Sequence, residues 1–286
     1  MLKTHDKIGI VACSNGLKLE RKNNIDKLID ILEELGIRVV TSKYIFTGEN
    51  FSISISKEKA SELMTFFKDD EIKAIFDLSG GDLANGILEY LDYQYIKKNP
   101  KPFYGYSDLT VVLNAIYSKT GIPTYNYQIR NLVGEFSSEQ KLNFEDTFFN
   151  NGTELYDIKP RWINGDKIEG VVIGGNIRCF LKLAGTEYIP NLKNKVLLLE
   201  ALSGDIAKIT TFLNQYKQMG VFDEISGIIL GTFTEMEKNS YKPSVEEILM
   251  EILDGKNIPI VKTEYIGHQG NSRAIAIGGK ILLKRE

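Results

Sequence analysis

The 286 residues carry 35 Lys and Arg against 38 Asp and Glu, a formal net charge of −3, and 43% of them are hydrophobic. Both signs are interspersed along the chain. That balance excludes a general pull toward nucleic acid or an anionic membrane, and no apolar run approaches the ~20 residues of a spanning helix. The length suits one or two domains with a substantial core.

Short apolar strands alternate with amphipathic helices through the first part of the chain. Residues 8–12 read as a strand, after a leader (1–7) that has no apolar core and so is not a secretory signal. Ile25, Leu28, Ile29, Leu32 and Leu35 recur at helical spacing, with Gly36 suited to the C-cap. Val39-Val40 is the next strand, and 58–67 is helical with Ala60, Leu63, Met64 and Phe67 inward. Residues 74–78 form a buried strand ending at Ser79-Gly80-Gly81-Asp82, before a helix through Leu91. Phe103-Tyr104-Gly105 leads into a Gly-x-Ser turn at Ser107, and the helix that follows carries Val112, Leu113, Ile116 and Tyr117 on one face.

From 126 to 166 the chain turns polar, with Ser137-Ser138, Asn150-Asn151-Gly152 and Asn164-Gly165 as turn signals. This reads as a linker or crossing segment between an N-terminal lobe (1–125) and a C-terminal lobe (167–286). The second lobe resumes with a strand over 168–173, then Gly174-Gly175-Asn176 and a helix through Leu183. Val196-Leu197-Leu198-Leu199-Glu200 is a strongly apolar strand ending in a carboxylate. A helix over 206–219, a strand over 227–231 and a helix over 245–253 follow. After 258–261 comes Gly267-His268-Gln269-Gly270. The tail, 274–277 and 281–283 around Gly278-Gly279, reads as a β-hairpin. The fold class is therefore α/β: an N-terminal lobe with a mainly parallel sheet flanked by helices, plus a C-terminal α/β lobe.

In such sheets chemistry gathers at the carboxyl ends of the strands, where the Gly80-Gly81 and Ser107 turns both lie. A serine at a tight turn before a helix is placed as a nucleophile, although Leu109 stands where a full Gly-x-Ser-x-Gly elbow has its second glycine. The competing reading is that Ser107 or Asp108 is a helix N-cap. A serine nucleophile needs a base, and the chain has two histidines. His5 lies in the polar leader, so the candidate is His268. Glu200 is the candidate acid orienting that base; alternatively it pairs with a lysine or caps the helix after Gly204. Cys13 and Cys179 show no metal spacing and read as core thiols of a reducing cytoplasm, so neither metal nor cofactor is expected.

Gly80-Gly81, Gly105-Tyr106-Ser107-Asp108, Gly174-Gly175-Asn176, Leu198-Leu199-Glu200 and Gly267-His268, in that order, resemble the LD-carboxypeptidase family, the S66 serine peptidases. Position by position, the resemblance implies Ser107 as nucleophile, Glu200 as the acidic triad member and His268 as base, in a site between lobes of a homodimeric, cytoplasmic enzyme. It implies a small peptide substrate: the murein tetrapeptide, losing its terminal D-alanine, or the peptidyl- or aminoacyl-nucleotide amide cleaved by microcin C self-immunity peptidases. The backbone N–H of Asp108, with one from the Gly81-Asp82 turn, is expected to hold the oxyanion. Trp162, the single tryptophan, is a candidate to stack on a substrate ring. Two motifs depart from the family: Leu78-Ser79-Gly80-Gly81-Asp82-Leu83 replaces Arg-Gly-Gly-Tyr-Gly, and Ala201-Leu202-Ser203-Gly204 replaces an acidic residue and a Tyr-Arg pair. A function of another class, a non-catalytic two-lobed ligand-binding protein, also fits the alternating pattern. A dinucleotide enzyme is disfavoured because Cys13-Ser14-Asn15-Gly16 lacks the pyrophosphate-turn glycines.

Overall fold

Residues 2–46 and 54–285 are described by a computed structural model, in which two α/β lobes each build on one mostly parallel sheet. Among the described residues there are twelve strands: β1 (Lys7–Val11), β2 (Arg38–Thr41), β3 (Ile72–Asp77), β4 (Phe103–Gly105), β5 (Thr124–Asn126), β6 (Arg161–Asn164), β7 (Lys167–Asn176), β8 (Lys195–Ala201), β9 (Gly227–Phe233), β10 (Ile260–Lys262), β11 (Ile275–Ile277) and β12 (Lys280–Lys284). The first sheet runs β11-β5-β4-β3-β1-β2 and the second β12-β7-β8-β9-β10-β6. β1 to β5 are parallel, as are β7 to β10; β11, β12 and β6 are antiparallel edge additions. The central strands read as unbroken apolar runs because both faces are covered: β9 is buried along its whole length and β8 beyond its first residue.

The helix Thr110–Thr120 explains how the lobes are joined. Seven consecutive residues from Thr110 to Ile116 are buried, which an amphipathic surface helix does not show. Its Asn114 is buried too, and its amide serves the other lobe: Nδ2 donates to Gly174 O at 2.8 Å and Oδ1 accepts from Gly174 N–H at 2.9 Å. Thr110 Oγ1 accepts from the Asn176 N–H at 2.9 Å. Gly175 (φ +135°) lies so close that a β-carbon there would stand 2.6 Å from Thr110 Oγ1. The Gly174-Gly175-Asn176 motif is therefore where the second lobe's backbone meets the helix that follows the Ser107 turn.

Two elements differ from the sequence reading. The polar stretch 126–166 is not irregular throughout: it contains the helix Ser137–Phe149, whose Phe144 and Phe148 join the first lobe's core, and β6, which belongs to the second sheet. Its periodicity is obscured because Gln140 and Asn143 are buried alongside the aromatics. The tail is not a hairpin either. β11 pairs antiparallel with β5 in the first sheet, while β12 pairs with β7 in the second. Gly278 (φ +84°) turns the chain between the sheets, donating its N–H to Val172 O, and the Tyr117 ring occupies the space a side chain there would need. The last strands thus fasten one lobe to the other.

Candidate active site

β3 and β4 are parallel neighbours, so their carboxyl ends bring Ser79-Gly80-Gly81 and Ser107 together. Ser107 has φ +56°, a left-handed conformation that costs a non-glycine residue energy and is held only where the surroundings enforce it. It opens a 3₁₀ turn, Ser107–Leu109, that runs into the helix Thr110–Thr120. The N-cap positions of those two segments are Tyr106 and Leu109, neither with a side-chain bond, so neither Ser107 nor Asp108 is the cap. A β-carbon on Gly80 would stand 3.6 Å from Ser107 Oγ and 3.8 Å from the Tyr106 hydroxyl; the missing side chain leaves that space open.

Asp108 is fully buried and anchors the turn. Its carboxylate accepts from Ser14 Oγ (2.6 Å), the Ala84 N–H (2.8 Å) and Lys182 Nζ of the second lobe (2.5 Å). The serine turn, the end of β1 and the chain after the glycine pair are thereby tied to one charge, itself paired across the lobes.

In the second lobe, register places Asn176 of β7 opposite Glu200 of β8. Glu200 is buried, and its Oε2 lies 2.7 Å from His268 Nδ1. Among the described residues it neither pairs with a lysine within 4.0 Å nor caps the following helix, whose N-cap is Asp205 accepting from the Lys208 N–H. Gly231 makes room for it, since a β-carbon there would stand 2.9 Å from Glu200 Cβ. Gly267 (φ +149°) packs on Thr232, whose hydroxyl donates to Gln269 Oε1 at 2.7 Å, so both neighbours of His268 are fixed. A neutral imidazole that donates Nδ1–H to Glu200 exposes its Nε2 lone pair. Nε2 is buried, with no hydrogen-bond partner among the described residues. The other histidine, His5, is exposed in the leader.

Tyr106 links the halves. Its ring centroid is 5.5 Å from that of His268, and its hydroxyl accepts from Arg130 Nη2. A cavity of about 370 Å³ opens here, with Tyr106, Gln128, Arg130, Asn131, Leu202 and His268 in its wall. Burial, reinforced by the like charge of Arg21, holds the Arg130 guanidinium down to about 10.

Two expected site residues fall elsewhere. The Asp82 N–H donates to Asn15 Oδ1 at 2.9 Å, and its exposed carboxylate pairs with Arg178, so this amide is already committed and does not serve as an oxyanion donor. Gly81 (φ +133°) packs directly on the Asn15 side chain. Trp162 lies on β6, the edge strand farthest from β7, where it packs half-buried against the second lobe's core and lines no part of the cavity. Sheet order explains the miss: adjacency in sequence to β7 does not make β6 its neighbour. Sequence reasoning also passed over Asn15, Asn114, Lys182 and Arg130. Only Asn15 had a signal, being polar at the carboxyl end of β1, beside β3 in the sheet.

A serine strained at a turn, a histidine held by a buried carboxylate and a glycine pair beside the serine are the parts a hydrolase of the serine-nucleophile class requires. The chain belongs to the LD-carboxypeptidase family: the family's N-terminal domain matches residues 8–127 and its C-terminal domain residues 169–283. It is similar to the microcin C7 self-immunity protein MccF of Escherichia coli, 29% identical over 314 residues, covering 99% of this chain and 91% of that protein. A probable murein peptide carboxypeptidase of Bacillus subtilis is 27% identical over 288 residues, with 98% and 89% covered. Among solved structures, MccF in complex with glutamyl sulfamoyl guanosine superposes with a TM-score of 0.87 at 25% identity, covering 100% of this chain and 97% of that one. The chain is thus a peptidase-class hydrolase rather than a non-catalytic binding protein. No helix among the described residues is long and apolar enough to cross a membrane.

Proposed function

We propose that this protein is a serine carboxypeptidase that removes a terminal D-alanine from the L-centre of a murein tetrapeptide through Ser107, His268 and Glu200. The observation that carries the reading is the His268 ring, held at 2.7 Å by buried Glu200 with Nε2 unpartnered among the described residues and packed near Tyr106, the residue before a serine in left-handed geometry. Ser107 Oγ attacks the scissile carbonyl carbon as its proton passes to Nε2, and Glu200 stabilises the imidazolium. The N–H groups of Asp108 and Gly81 hold the oxyanion; losing one such donor costs about 10²–10³ in kcat. Collapse of the tetrahedral intermediate breaks the C–N bond as Nε2 returns the proton to the leaving amine. Water, deprotonated by His268, then releases the peptide acyl group and restores Ser107. The proposal requires Ser107 Oγ to reach Nε2 when substrate is bound, and such bonds commonly tighten only in the substrate complex.

A cytoplasmic homodimer working on small peptides is part of the same proposal, supported by family membership and by two cysteines that are both free and buried. The second reading is cleavage of an aminoacyl- or peptidyl-nucleotide, which full-length similarity to MccF favours. Incubation with murein tetrapeptide and, separately, with glutamyl sulfamoyl adenosine decides between them by mass spectrometry. D-Alanine release from the first supports the murein reading; release of glutamate from the second alone moves the protein to the immunity reading. Cleavage of neither overturns both.

A further inference from the structure

A carboxypeptidase must recognise a free carboxylate one residue beyond the bond it cuts. That residue spans at most about 3.6 Å of chain, so the anion's partner has to stand close to the nucleophile. Arg130 is joined to the nucleophile turn through a single residue, Tyr106. Its Nη2 donates to the Tyr106 hydroxyl, and that hydroxyl shares with Ser107 Oγ the space in front of Gly80, at 3.8 and 3.6 Å from the position of an added β-carbon. The guanidinium carbon lies 5.4 Å from the centroid of the Tyr106 ring, which itself packs beside His268.

Three features of Arg130 are unexplained by folding alone. Its Nε is buried without a hydrogen-bond partner among the described residues, although a guanidinium has five N–H donors to satisfy. No carboxylate among the described residues lies within 4.0 Å of the half-buried Arg130, whereas the buried Arg273 has Glu139, Glu154 and Asp157 within that distance. The cavity it faces also holds Arg21 and, among its described lining, no Asp or Glu. A buried guanidinium is costly unless it is paired, and planar fork geometry suits a carboxylate.

We infer that Arg130 is the substrate-anchoring residue that binds the C-terminal carboxylate of the departing residue, making the enzyme specific for free peptide acids. This rests on the carboxypeptidase reading and adds its specificity determinant. The guanidinium donates from its free edge to the carboxylate, and Tyr106 holds the opposite edge. Endopeptidase substrates and C-terminal amides present no anion and leave the positive charge unpaired.

The test is calorimetric titration of Ser107→Ala protein, with and without Arg130→Gln or Arg130→Lys, using Nα-acetyl-L-lysyl-D-alanine and its C-terminal amide. The parent is expected to bind the acid at least tenfold more tightly than the amide. Arg130→Gln should bring that ratio to about one by weakening the acid alone, with Arg130→Lys in between. Should Arg130→Gln fail to fold by thermal melting, Arg130→Lys carries the comparison, because it keeps the charge and loses the fork. An acid preference that survives Arg130 substitution, or a parent with no preference or no binding, overturns the assignment. Arg130-dependent binding of adenosine monophosphate at lower concentration than the acid overturns it in favour of a phosphoryl ligand. Hydrolysis by the Ser107-bearing protein is scored separately. Cleavage with an unchanged acid preference in Arg130→Gln fails the anchor and spares the peptidase. Arg130-dependent binding without cleavage fails the peptidase and spares the anchor.

Discussion

Asn114 holds the two lobes in register, and its replacement by leucine tests whether that junction sets catalytic geometry. Leucine repeats the branched heavy-atom skeleton of asparagine with bulkier methyl ends, so the change removes hydrogen bonds without opening a cavity and adds some overpacking strain. Gly174 then keeps a buried N–H and a buried C=O that had been bonded to Asn114 Oδ1 and Nδ2 at 2.9 and 2.8 Å. Each orphaned group costs about 1–3 kcal/mol, for a total of roughly 2–6 kcal/mol. At roughly 2–4 °C per kcal/mol for a large domain, Tm falls by roughly 4–24 °C. Gly174 lies two residues before Asn176, which is registered against Glu200, so relaxation at the junction moves Glu200 and His268 relative to Ser107. A displacement near 1 Å is worth about 10² in rate. The assay is a thermal melt together with D-alanine release measured below the variant's transition. A Tm within 2 °C of the parent with unchanged kcat would refute the reasoning that this amide couples the lobes.

The remaining predictions concern single residues. Glu200→Gln should cut kcat by about 10²–10⁴ with KM changed less than about threefold, because the amide favours the wrong imidazole tautomer; steady-state kinetics check it, and a KM-dominated loss contradicts it. Asn15→Ala should free the Asp82 amide and loosen the turn at Gly81, lowering kcat by about tenfold for one lost hydrogen bond; an unchanged kcat sinks that role. Trp162→Phe should leave kcat/KM within about twofold and cost under about 1.5 kcal/mol in a denaturant melt, as expected of an edge-packing aromatic; a large KM rise would return Trp162 to the substrate site.

Much of the fold was legible because the strands are short apolar runs covered on both faces, separated by helices with clear periodicity. The serine turn and the candidate histidine stood out for a different reason: chemistry leaves few choices when two histidines are present and one lies in a polar leader. Glu200 stood out by ending the most apolar strand. What stayed hidden depends on sheet order, which sequence does not print. β11 and β12 are adjacent in the chain yet belong to different sheets, and β6 pairs at the far edge from β7. Asn114 is masked by apolar neighbours on every side of a helix buried all round. Arg130 sits in a 3₁₀ stretch, Ile129–Val133, too short to show a period. The departures at Ser79-Gly80-Gly81-Asp82 acquire a meaning only in three dimensions, where Asn15 takes up the amide that sequence assigned to the oxyanion.

The central claim is that Ser107 is a nucleophile activated by His268. Labelling the protein with a fluorophosphonate, followed by peptide mapping, tests it most directly. The account predicts a single stoichiometric adduct on Ser107, lost in Ser107→Ala and slowed at least a hundredfold in His268→Ala, with hydrolysis lost in parallel. An adduct on another residue, or a Ser107→Ala protein that still releases D-alanine at more than a few per cent of the parent rate, would contradict it.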